Sequence, residues 1–325
     1  MPSSPLDRRE IAFAELLAVG FVGLIAIAAN KTHMSLLLFP ELAALAHDVF
    51  TRPRGKWASQ PVRLILTPTL TGIVGLLVTR YSHYGVLQVL TITVLSLVII
   101  RLLRSSIGPA FSAGVLPLVL DERRWLYPLA IFIGLASLTI TLLIWQRWCS
   151  RKNSTPESVT EVSIDDALES NALGRLWLVH LLAFVAVLAS VGQITGLRFI
   201  LFPPLVVMAY EVLGHPELPG WIKRPALFPL VCFLTAAVGL GSFEILGKGA
   251  LSIVVTVAVS IFLLRLFQAR MPPALAIGLL PYVIQSPNWG FPVSVLIGTA
   301  TLSLWFVVRA RSQRTPGSVL VHQSH

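Results

Sequence analysis

The sequence predicts an all-α fold: a polytopic transmembrane helical bundle made of two parallel tandem repeats. Its composition is the first reason, since 55% of the residues are hydrophobic and 12% are charged, whereas a soluble domain carries about a quarter charged residues. Long apolar stretches are the second reason, because roughly 17–25 such residues span a bilayer. The third is a pattern of Pro, Gly, Trp and Arg residues that recurs along the chain.

Each half of the sequence contains six apolar segments. Four in each half are long enough to span a membrane: 11–29, 62–79, 86–103, 126–146, 176–195, 225–243, 249–267 and 291–308. The second and fifth segments of each half are short and are interrupted by Pro or Gly: 34–50, 106–120, 198–213 and 271–284. These short segments are expected to cross as thin or kinked helices, or to enter the membrane and return.

A shift of 164 positions aligns residues 57–147 with residues 221–311 without a gap. Shared Leu and Val would align any two apolar sequences, but matched Pro, Gly, Trp and Arg residues at one offset would not. We therefore predict a first unit (1–149), a cytoplasmic linker (150–172), a second unit (173–311) and a disordered cytoplasmic tail (312–325). An even number of crossings makes the two units parallel, related by an axis along the membrane normal.

The basic residues predict how the chain is oriented. Threading the segments through a membrane places 19 of the 25 Lys and Arg residues on the side of the N-terminus. Basic loops stay in the cytoplasm, so both termini are expected there, in the plasma (inner) membrane of a bacterium. The net charge of +10 is thus explained by topology, and no soluble basic face remains for nucleic acid.

The sequence carries no sign of a metal site, a cofactor or a catalytic centre. Its two cysteines, Cys149 and Cys232, have no paired spacing. The seven histidines are scattered and none has the spacing of metal ligands, and there is no nucleotide-binding or nucleophile motif. We therefore expect no cofactor and no enzyme activity.

Each half resembles the HPP family of integral membrane proteins, named after a His-Pro-Pro motif. Trp57-Ala58-Ser59-Gln60-Pro61-Val62-Arg63 is similar to the family's upstream pattern, and residues 221–225 form a weaker copy. Residues 107–114 and 271–278 resemble the Pro-Pro motif. Neither copy has the histidine, and residues 107–114 keep only one of the two prolines. The resemblance implies about four spans per unit, and some family members resemble nitrite transporters of plastids and cyanobacteria.

Two of the short segments look like helices that start inside the membrane. Pro40-Glu41 and Pro203-Pro204 stand at these starts, and Pro suits a first helical turn because it has no N–H to leave unpaired. A helix start directs free amides and the positive end of its dipole inward, which suits an anion. The alternative is that Pro only kinks a packing helix and that Glu41 caps its own helix.

The other two short segments, and two arginines, complete the candidate site. Tight turns and small residues favour close helix packing or backbone contact with a small solute; they include Pro109, Gly114, Pro272, Pro273 and Gly278. Arg101 and Arg265 occupy equivalent positions at the end of the fourth segment. They are expected to reach the cytoplasmic headgroups, or else to pair with Asp48 and Glu211.

Broken helices at matching places in two halves point to a transport site. We therefore predict a transporter or channel for a small solute, with a small inorganic anion such as nitrite as the leading candidate. The alternatives are a scaffold or assembly protein in which the short segments only pack, and an intramembrane enzyme acting on a lipid-soluble substrate. The expected partners are the lipid bilayer and a small-molecule or ion substrate; a homo-oligomer is one open possibility.

Overall fold

The computed structural model describes residues 8–152, 176–214 and 224–312, and in these ranges the chain is helical without strands. The prediction of an all-helical membrane protein is confirmed. Of the predicted linker and tail, the structure describes only 150–152 and Ser312, which continue helices. The remainder of both segments lies outside the described residues, as do Trp221 and Lys223 of the weaker motif copy.

Six helices in the described ranges are long and apolar enough to cross a membrane. They are α1 (Arg8–Thr32), α3 (Pro61–Tyr81), α6 (Leu126–Lys152), α7 (Leu176–Thr195), α9 (Leu227–Leu246) and α12 (Gly290–Ser312). Each leaves large apolar side chains exposed along one face, as a helix in contact with lipid does.

Two of the eight predicted long spans are shorter than the others. Helices α4 (Val86–Leu102) and α10 (Ala250–Leu266) have 17 residues each, about 26 Å at 1.5 Å per residue. The left-handed residues Arg104 (φ 48°) and Gln268 (φ 51°) follow them. A backbone in that conformation cannot continue a right-handed helix, so both helices end soon after the arginine of their last turn.

The four short segments form short helices in the interior. They are α2 (Glu41–Thr51), α5 (Ala110–Leu120), α8 (Pro203–Gly214) and α11 (Pro273–Leu279), and nearly all of their residues are buried. The 3₁₀ turns Ser35–Leu37 and Arg198–Leu201 precede α2 and α8, and a third turn (Leu280–Tyr282) follows α11. An eleven-residue helix is about 16 Å long, roughly half of the hydrocarbon thickness.

The helices of each half pack against one another in the same order. Helices of one half also contact helices of the other half. Within each half, the third helix (α3 or α9) packs against the fifth and sixth helices of that half. Between the halves, α5 packs against α8 while α11 packs against α2. Helices α1 and α10 are in contact, and so are their counterparts α7 and α4. The short helices thus lie where the two halves meet.

Candidate functional site

Helices α2 and α8 begin well below the surface of the bundle. The side chain of Leu42 and the carbonyl group of Leu37 lie against Gly134 of α6. Gly134 is eight residues into α6, which corresponds to about 12 Å along the helix. Leu205 and Ile200 lie against Gly298, which is also eight residues into α12. Pro40 precedes the first turn of α2, whereas Pro203 and Pro204 form that of α8.

Helix α5 also begins at depth, and it runs parallel to α3. The Thr71 hydroxyl group donates to the carbonyl oxygen of Ala110 over 2.7 Å, and the Thr67 hydroxyl group contacts that of Ser105 at 2.9 Å. Thr71 is ten residues into α3, about 15 Å from its start. Pro109 lies just before the first turn of α5, and Pro272 has the same position in α11.

The start of α2 carries the most unusual side chain in this core. Glu41 is 2% exposed. The Ser112 hydroxyl group on α5 is close enough to interact with it, yet neither carboxyl oxygen has a hydrogen bond of ordinary geometry to any described residue. Buried carboxyl groups are costly in a membrane when nothing satisfies them. Glu41 therefore calls for a role beyond packing.

Two more acids are buried near this point. Glu211 of α8 is 9% exposed and its carboxyl oxygen lies beside Gly108, just before α5. It is close enough to Glu41 for their charges to interact. Asp48 of α2 is 2% exposed and forms an ion pair with Arg52 one turn later. Among the described residues, the buried charged side chains are these three acids, so the core is acidic.

The small residues at Gly114 and Gly278 serve helix packing. A Cβ atom at Gly75 would overlap the carbonyl oxygen of Gly114, and one at Gly239 would overlap that of Gly278. The backbones of α3 and α5, and of α9 and α11, are therefore in direct contact. Small residues allow such contact between membrane helices, and these two positions leave no space for a solute.

The two predicted site arginines bind side chains of the long helices α7 and α1. Arg101 places its guanidinium group over the ring of Trp177 on α7, 5.7 Å from the ring centroid. Arg265 donates from Nε to Glu15 of α1 over 2.9 Å. Both are exposed contacts between the two halves. The alternative pairing with Asp48 or Glu211 does not describe Arg265, which forms its ion pair with Glu15 of α1.

Several polar contacts in this core could not be found by sequence motif. Tyr127 of α6 donates to the carbonyl oxygen of Ala113 over 2.6 Å. The Trp145 side chain donates to the carbonyl oxygen of Phe50 and the Arg309 side chain to that of Leu213, each over 3.0 Å. These last two contacts satisfy carbonyl groups at the ends of α2 and α8. Trp145 and Arg309 are 164 positions apart, which is the offset that aligns the two halves. This equivalence of position is the signal in the sequence that could have pointed to their matching roles.

Comparisons with known proteins add no assignment. No family model, curated protein or solved structure matches this chain. Among the described residues, no three His, Cys, Asp or Glu side chains come together as a potential metal site. The features of this chain that bear on function are therefore the buried carboxyl group of Glu41 and the short helices around it.

Proposed function

We propose that this chain is a transporter or channel that moves a small solute across the membrane through the core of short helices. The supporting observation is Glu41: an ionisable group with 2% exposure and no ordinary hydrogen bond, at the start of a helix that begins inside the bundle. Ionisable residues within membrane spans are rare and mark the pathways of ions and substrates. Interrupted helices in two matching halves mark such pathways as well.

The proposed substrate is a small inorganic anion, such as nitrite. The starts of α2 and α8 direct the positive ends of their helix dipoles into the core. Pro203 and Pro204 leave the start of α8 without an acid, whereas Glu41 occupies the start of α2. Because an ionised Glu41 would repel an anion in a medium of low dielectric constant, the anion passes while Glu41 is neutral.

We further propose that the two halves are tandem copies of one HPP-like unit, related by an axis along the membrane normal. In support, the halves share one order of helices, and the main contacts between their described helices form matching pairs: α5 with α8 and α11 with α2, α1 with α10 and α7 with α4. The shared Pro, Gly, Trp and Arg positions in the sequence support the same proposal.

The proposed location is the inner membrane of a bacterium, with both termini in the cytoplasm. The turns that follow α2, α4 and α10 carry Arg52, Arg104 and Arg270 respectively. With both termini inside, all three turns face the cytoplasm, as the positive-inside rule requires.

A scaffold protein that does not transport is the second candidate. The observation in its favour is the direct backbone contact at Gly75–Gly114 and Gly239–Gly278, which shows that part of the core is packed without space. A scaffold explains these contacts as well as a transporter does. It gives no account of Glu41, whose carboxyl oxygens have no hydrogen bond of ordinary geometry to a described residue.

Uptake of nitrite into lipid vesicles that contain the purified chain tests the proposal. We expect uptake above that of protein-free vesicles, and inhibition by other small anions in excess. Glu41→Gln should change the rate, whereas Glu244→Gln, the same substitution at an exposed position, should leave it unchanged. Equal nitrite, nitrate and chloride flux with and without protein would reject anion transport.

A further inference from the structure

We propose that Glu41 is a proton-binding residue, and that Ser112 and Glu211 complete its site. Three different helices supply these groups: α2 carries Glu41, α5 carries Ser112 and α8 carries Glu211. Since α8 belongs to the second half of the chain, the site forms across the contact between the halves. The proton reaches the Glu41 carboxylate from water, gives a carboxylic acid, and returns to water when it leaves.

The surroundings of Glu41 favour the protonated carboxylic acid over the ionised carboxylate. An ionised carboxylate needs several donors or a cation, and neither oxygen of Glu41 has an ordinary hydrogen bond to a described residue. The second carboxyl group, on Glu211, adds a like charge rather than a compensating one. Two carboxyl groups that interact in a buried site do not ionise independently, and one proton then belongs to the pair.

The other neighbours of Glu41 supply no cation. Helix α2 packs against α1, α6 and α11. From α6, the titratable group within electrostatic range is Tyr127, whose hydroxyl group already donates to Ala113. Helices α5 and α11 contain no titratable residue. From α1, Glu15 faces the other end of α2, where it lies near His47 and pairs with Arg265.

The binding of a proton would also explain how an acid can stand in an anion pathway. When Glu41 is protonated, the start of α2 carries no negative charge, so the positive end of its helix dipole attracts an anion. When the proton leaves, the carboxylate occupies that position again. Anion and proton would then move together. This part of the inference rests on the proposed function, while the proton site itself does not.

Infrared difference spectroscopy of the full chain in lipid tests the proton site without any transport. A protonated carboxylic acid has a carbonyl stretch that is resolved from that of a carboxylate. We expect such a band at neutral pH in the wild type, its loss in Glu41→Gln and its retention in the surface control Glu244→Gln. Ser112→Ala should keep the band and shift its frequency, which provides a second readout if the Gln variant fails to fold.

Two results would overturn the proton site. One is the absence at neutral pH of any carboxylic acid band that depends on Glu41 or Ser112. The other is a band that emerges only when choline replaces sodium and potassium in the buffer, which would show that a metal cation occupies the site. Absence of anion flux together with the expected band would reject the transport proposal and leave the proton site in place.

Discussion

At the scale of single residues, Glu41 is the side chain that the rest of the core does not explain. The acid Asp48, ten ångströms or so farther along the same helix by the 1.5 Å rise, has an arginine partner. Glu41 has no ion-pair partner among the described residues and lies near a hydroxyl group, on Ser112, and a second carboxyl group, on Glu211. A residue kept for function at a cost in stability has this profile.

Glu41→Gln should therefore leave the fold as stable as the wild type or stabilise it, by up to about 2 kcal/mol. The substitution keeps the shape of the side chain and removes the possibility of a buried charge. Thermal unfolding of the purified protein in one detergent measures this effect. The surface control Glu244→Gln should change stability by about 0.5 kcal/mol or less. A large loss of stability in Glu41→Gln would assign Glu41 a structural role.

At the scale of helices, the close contact between α9 and α11 depends on glycine. A Cβ atom at Gly239 would overlap the carbonyl oxygen of Gly278, whereas one at Gly241 would meet no atom within 4 Å. Both glycines belong to α9. The chain therefore offers the same substitution at two positions of one helix, in opposite environments.

Gly239→Ala should destabilise the protein by about 1–3 kcal/mol, because the added methyl group forces the two helices apart. Gly241→Ala should be neutral or stabilising by up to about 1 kcal/mol, since Ala is the better helix former. Thermal unfolding of the two variants, measured side by side, separates the effect of packing between α9 and α11 from the effect of the higher helix propensity of Ala. Equal effects at both positions would mean that α9 and α11 are not in backbone contact.

The sequence predicted the helical elements well and the side-chain environments poorly. Apolar length and Pro positions determine where a membrane helix can begin. Pro40 and Pro203 therefore mark helix starts in the sequence prediction and in the structure alike. The role of Gly114 depends on which backbone faces it, and that is a tertiary property. The partners of Arg101 and Arg265 lie on helices far away in sequence, so periodicity could not identify them.

At the scale of the whole molecule, the proposed orientation rests on the basic residues, and the number of crossings then assigns each loop to one side of the membrane. Ser59 lies between α2 and α3, and Ser286 lies between α11 and α12; both are exposed. With both termini in the cytoplasm, the first position faces the cytoplasm and the second faces the opposite side. The two positions therefore test, one on each side of the membrane, whether the loops lie where the proposed number of crossings puts them.

An impermeant thiol reagent tests this arrangement in intact cells. In a variant without Cys149 and Cys232, Ser286→Cys should be labelled from outside, and Ser59→Cys should be labelled only after lysis. Lysed cells serve as the control that both thiols are reactive. Labelling of Ser59→Cys in intact cells would reverse the orientation, and labelling of both would contradict the number of crossings.

We propose that the buried Glu41 links a proton to the passage of a small anion through the short-helix core. Vesicles containing the purified chain and an internal pH dye, exposed to an inward nitrite gradient, test it most directly. We predict that nitrite entry acidifies the interior faster than in protein-free vesicles, which report permeation of the neutral acid, and that Glu41→Gln abolishes the difference. Nitrite entry without acidification, or the same acidification in Glu41→Gln, would contradict the claim.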